Sequence, residues 1–200
     1  MPIVSLTTFI DFVAATGTAR LTKVRTAKRQ YSEEWDPARD FYKPLRDRIQ
    51  RCAADGWDAA NLRKLLADVS DPKKQANYEA CRAGIVKWAR SGDKTLRPFP
   101  TSGKTAWRSG ALEIRVNPEL FVQAGGHKRV VKLYFKSDPL SQQKAHVVLR
   151  LLELTVGEKS EVGVLDVRRA KLFVPTKTDP GIDALLAAEA AAFSTMWDGV

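Results

Sequence analysis

Histidine and cysteine are scarce in this chain, with two of each in 200 residues. His127 and His146 together cannot supply a multi-histidine metal centre. Cys52 and Cys81 lack CxxC spacing and sit within helical patterns, so they are expected as buried free thiols in a reducing cytosol. No stretch approaches the roughly 20 apolar residues of a membrane span. The opening "MPIVSLTTFIDFVAATG" has no basic leader region and interrupts its apolar stretch with Asp11, so it is not read as a signal peptide. The expectation is a cytoplasmic protein without a membrane partner. Common catalytic motifs are missing too. "TSGKT" (101–105) contains Gly-Lys-Thr but not the upstream glycine of a phosphate loop, and neither GxSxG nor HExxH occurs.

Positive charge is abundant. Thirty-three Lys and Arg against 23 Asp and Glu give a formal net charge of +10. The first hundred residues carry +7 of it, and "RLTKVRTAKR" (20–29) holds five bases and no acid. Such an excess attracts polyanions through Coulomb forces and counterion release, which makes nucleic acid the expected partner class. On a helix over 18–31, Arg25, Lys28 and Arg29 share one face, as either a solvated surface or one that tracks phosphates.

Periodicity divides the chain at about residue 92. Residues 1–92 read as helical throughout. Thr8 is the expected first N-cap, with Asp11 completing a capping box and Gly17 ending the helix. Asp36-Pro37, Asp58 and Asp71-Pro72 mark further helix starts. Leu62, Leu65, Leu66 and Val69, and then Tyr78, Cys81, Ile85 and Trp88, recur at helical spacing as core stripes. Residues 93–105, rich in Gly, Pro, Ser and Thr, are the expected linker. Residues 106–200 change to β-type patterns. "ALEIRVNPELFV" (111–122) alternates around an Asn-Pro break, and Gly125-Gly126 makes a hairpin turn before "RVVKLYFK" (129–136). Pro139 opens a helix that Gly157 ends, and 162–175 holds one or two strands. Asp179-Pro180 caps a last helix with Leu185, Leu186, Phe193 and Trp197 inward. The expected fold is mixed α/β, a helical region followed by a small β-sheet flanked by helices.

A helix, three strands, a helix and a strand in that order, over residues 75–175, resemble the αβββαβ core of the PD-(D/E)XK nuclease superfamily, most closely its RecB-like branch. The family presents an acid on the second strand, ends the third in (D/E)xK, and often carries QxxxY on the next helix. Here the third strand ends Tyr134-Phe135-Lys136 and the helix carries Gln142 and His146 four residues apart. Two departures are chemical. Tyr134 stands where the acid should precede the lysine, and the second strand offers Asn117 flanked by Glu113 and Glu119. A hard cation such as Mg²⁺ requires carboxylate oxygens to activate water, and a lysine cannot hold it.

The resemblance therefore implies nucleic-acid binding on a degenerate core, with no cofactor and no metal-dependent cleavage. Lys132, Tyr134, Lys136, Gln142 and His146 would be the polar contacts, and Trp107, in the basic loop "GKTAWRSG", a base-stacking ring. One alternative is an active Mg²⁺-dependent nuclease with Glu113, Glu119 and Lys136 as catalytic candidates and Asp138 as a further ligand. Another is a protein-interaction subunit of a larger assembly. The simpler readings are that Lys132 and Lys136 are the solvated side of a strand, and that Glu113 pairs with Arg115.

Overall fold

A computed structural model describes residues 1–33, 40–99, 105–156, 161–176 and 180–200. Among them the chain runs β1 (Ile3–Ser5), α1 (Leu6–Val13), α2 (Thr18–Ser32), α3 (Lys43–Ala54), α4 (Ala59–Ala67) and α5 (Pro72–Arg90). It continues through β2 (Lys94–Pro98), β3 (Ala106–Ser109), β4 (Leu112–Arg115), β5 (Leu120–Ala124) and β6 (His127–Tyr134). The last elements are α6 (Gln142–Val156), β7 (Glu161–Asp166), β8 (Lys171–Phe173) and α7 (Ile182–Asp198). The fold is mixed α/β. No helix among the described residues is long and apolar enough to cross a membrane.

Two sheets form, a five-stranded one ordered β2-β5-β6-β7-β8 and a three-stranded one ordered β1-β4-β3. In the larger, β6 lies antiparallel to β5 and parallel to β7, with α6 as the crossover that a parallel pair requires. β6 is covered on both faces, which explains its nearly continuous apolar run. Val131, Leu133, Phe135 and Leu165 pack with Leu45, Ile49, Tyr78 and Ile85 of α3 and α5. Tyr134, Val162 and Val164 pack on the other side with Val148 and Leu152 of α6, Phe9 and Phe12 of α1, and Phe193 of α7. Burying each such aromatic or aliphatic side chain stabilises by about 1.5–3 kcal/mol. The helix–sheet approach is closest at Gly84 of α5, where a Cβ would collide with the Val167 carbonyl oxygen. Both hydrophobic clusters contain residues from each side of 93–105.

Several local expectations hold. Asp58 caps α4 by accepting from the Ala60 N–H, and Asp71 caps α5 by accepting from Lys73 and Lys74. Gly125 and Gly126, at φ +55° and +81°, make the turn between β5 and β6. Cys52 and Cys81 are buried and free.

Others need correction. The region expected to be wholly helical begins with β1, because Ile3–Ser5 has a parallel partner in Glu113–Arg115 that lies far along the chain. The expected linker contains β2, which pairs with β5; residues 100–104 of that segment lie outside the described residues. The stretch 111–122 enters two sheets. Asn117, at φ +40°, and Pro118 carry the chain from β4 across to β5. The N-cap of α1 is Ser5, whose Oγ accepts from the Thr8 N–H, and Leu185 is exposed at 40 %. Gly181 occupies the N-cap position of α7. Asp36, Pro37, Gly157 and Asp179 lie outside the described residues.

Candidate functional site

The larger cleft of interest, about 630 Å³, opens where β6 ends. Alternation along the strand puts Lys132, Tyr134 and Lys136 on one face, and all three line it. Ser5, Leu6 and Thr7 at the start of α1 form one wall. Residues 115–119, crossing between the sheets, form another, and Asp40, Arg46, Asp47 and Gln50 close the third.

Glu119 and Lys132 meet inside this cleft. Lys132 Nζ donates to Glu119 Oε1 at 2.5 Å and to the Asn117 carbonyl at 2.8 Å. Glu119 Oε2 accepts the Leu133 N–H at 2.7 Å, so the carboxylate extends the β5–β6 ladder one step beyond Leu120 and Val131. The Glu119 side chain is 4 % exposed and that of Lys132 15 %, which makes this a buried, hydrogen-bonded ion pair. The Glu119 backbone is held as well, its carbonyl accepting from Gln50 Nε2 and the Phe99 N–H.

Lys136 pairs with Asp11 of α1, and both side chains are about one-third exposed. Arg46 donates to Asp40 at 2.7 Å, and Lys43 pairs with Asp47 at 2.5 Å. Burial opposes the Arg46 charge, but the bond to Asp40 and the charges of Asp40, Glu119 and Asp47 hold the guanidinium more firmly protonated than usual. Arg115 is exposed on the cleft wall with no ion-pair partner among the described residues. Tyr134 is 8 % exposed and its hydroxyl is buried without a hydrogen-bond partner. Burial, followed by the nearby charges of Asp11, Asp138 and Asp166, pushes its phenol up to about 12.

The residues present do not fit a hard divalent cation as arranged. The Glu119 carboxylate is committed to Lys132 and the Leu133 N–H, Asp40 to Arg46, and Asp47 to Lys43. Among the described residues no three His, Cys, Asp or Glu side chains group to hold a metal ion.

The other expected site residues lie apart from the cleft lining. Gln142 and His146 bond to each other at 3.0 Å on α6. Asp138 is exposed and does not line the cleft. Glu113 belongs to the smaller sheet, where its partner is Arg108 across the β3–β4 pair at 2.7 Å; the expected partner, Arg115, points elsewhere. Trp107 is partly buried, packed against the core on β3, which contacts α6 and α7. On α2, Arg25 and Arg29 are exposed, whereas Lys28 Nζ donates to the Trp197 and Val200 carbonyls at 2.8 and 2.6 Å. Asp11, Asp40, Arg46, Gln50 and Arg115 are cleft or cleft-contact residues that motif reading missed, since no local spacing links them to β6.

No protein-family model matches the chain, and a search of curated proteins returns no match.

Proposed function

We propose that this chain binds nucleic acid along its phosphate backbone, through the cleft at the end of β6, on a degenerate PD-(D/E)XK-like core without metal-dependent cleavage. The observation that carries the reading is the contact between Glu119 and Lys132. An acid just before the second core strand, β5, meets a lysine of the third, β6, in a polar recess beside the sheet. With β3 and β4 set aside in the smaller sheet, the order α5, β2, β5, β6, α6, β7 around the larger sheet supports the same resemblance. The pairing lysine is Lys132, four residues before the one that motif spacing suggested. Two residues ahead of Lys132 and Lys136 stand Val130 and Tyr134, so neither lysine has the preceding carboxylate a metal site needs. A cleft with a few convergent polar groups is the default binding site of such a fold, and Arg115 with the exposed Arg25 and Arg29 supplies cations for phosphates.

Anisotropy titrations against single- and double-stranded DNA and RNA at two salt concentrations test this reading. Binding that weakens steeply with salt on at least one of the four is expected, with the labelled strand intact after incubation in Mg²⁺ or Mn²⁺. Absence of binding at low salt, or cleavage abolished by EDTA, contradicts it.

A further inference from the structure

A second recess, about 410 Å³, shares no lining residue with the cleft. Three arginines line it, Arg63 from α4 and Arg82 and Arg90 from α5, together with Trp57. Arg82, Val86 and Arg90 all line it, so a single stripe of α5, repeating every four residues, faces the recess. Arg82 gives Nε and Nη2 to Glu79 at 2.9 and 2.5 Å. Arg63 and Arg90 are exposed and have no ion-pair partner among the described residues. Asp58 also lines the recess, but its carboxylate caps α4 through the Ala60 N–H at 2.8 Å.

Trp57 adds an independent feature. It sits in the left-handed region at φ +69°, uncommon for so bulky a side chain, and its indole Nε1 is buried without an acceptor. An unsatisfied buried donor is destabilising, and so is bringing like charges around one recess. An oxyanion relieves the second. Guanidinium forks match phosphate oxygens bidentately, and a doubly charged tetrahedral group suits the two uncommitted forks of Arg63 and Arg90, with Arg82 adding charge beside them, better than a planar, singly charged carboxylate.

We propose that this recess is a phosphate-binding site, separate from the cleft, taking either a free phosphorylated small molecule or a phosphate of a nucleic-acid backbone. The proposal stands whether or not the cleft binds nucleic acid. Calorimetric titration of the full chain with inorganic pyrophosphate at low salt reads the site. Saturable binding is expected, weakened about tenfold in Arg63→Gln/Arg90→Gln, since each partly exposed charge-assisted contact contributes severalfold. The exposed control Lys128→Gln, which lines neither recess, should leave it unchanged. The single variants Arg63→Gln and Arg90→Gln, at exposed positions, should each give part of the loss and keep the test readable if the double variant melts early. Displacement of pyrophosphate by a short single strand assigns the site to backbone phosphate; undisturbed binding assigns it to a small phosphorylated ligand. Either result supports the site. Pyrophosphate binding no tighter than about 1 mM, or equal affinity in every arginine variant, overturns it.

Discussion

Replacing Glu119 by glutamine removes one charge from the cleft and almost no volume. The Lys132 ammonium, 15 % exposed, then loses its carboxylate partner at 2.5 Å and keeps the Asn117 carbonyl at 2.8 Å. Breaking a buried pair from one side costs about 3–5 kcal/mol when the remaining charge is fully uncompensated. The surviving carbonyl and the new amide oxygen lower this to about 2–3 kcal/mol, still above a neutral hydrogen bond's ~1 kcal/mol. Lys132→Met should cost a similar amount by leaving Glu119 with the Leu133 N–H alone. Removing both charges in Glu119→Gln/Lys132→Met leaves an amide oxygen for Leu133 and a methionine chain for packing. That double variant should lie within about 1 kcal/mol of the wild type. Urea denaturation with unchanged m-values measures all four proteins, and each kcal/mol corresponds to about 2–4 °C in Tm at this chain length. Additive losses, or single variants within about 0.5 kcal/mol of the wild type, would refute the pairing on which the site is built.

Lys136→Ala should change stability by no more than about 1 kcal/mol, because its pair with Asp11 is about one-third exposed, and thermal melts check this. Gln142→Ala should add to it without coupling, since Gln142 does not line the cleft. Arg25→Glu/Arg29→Glu should weaken nucleic-acid binding and flatten its salt dependence with Tm almost unchanged, whereas Lys28→Ala should lower Tm by detaching α2 from the end of α7. Gly84→Ala should destabilise by about 3 kcal/mol or more in urea, because its Cβ meets backbone that cannot rotate away. In alkali, burial holds the Cys81 thiol up to about 11 and the Tyr78 and Tyr134 phenols up to about 12. Folded values above unfolded ones mean that this stability is intact below about pH 9 and is lost as pH rises through 11–12. A Tm that falls over that range, with a late rise in phenolate absorbance, is the expected profile.

Local chemistry was readable from the sequence wherever the deciding contacts are local. Asp58 and Asp71 bond to N–H groups two or three residues away, and Gly125-Gly126 needs only its own backbone freedom. The alternation of Val131, Leu133 and Phe135 against Tyr134 likewise assigned each to its face. What was not readable depends on distant partners. β1 exists because of β4, 110 residues on, and β2 exists because of β5. Lys136 was singled out by motif spacing, yet its partner Asp11 lies 125 residues earlier and was assigned to a capping box. Lys132 was an expected polar contact, but its pairing carried no local signal, because the partner Glu119 lies on the neighbouring strand's approach. Arg25, Lys28 and Arg29 look equivalent on a helical wheel, and only the docking of α7 distinguishes Lys28.

The central claim is that the cleft at the end of β6 contacts phosphate backbone. Salt-dependent affinity of the wild type compared with Arg115→Glu/Lys136→Ala tests it most directly, on whichever nucleic acid the wild type binds. Both side chains line the cleft, and neither anchors the core. The account predicts an unchanged fold, affinity reduced about tenfold or more, and a slope of log K against log salt shallower by about one to two phosphate contacts. Equal affinity and equal slope in the two proteins would contradict it.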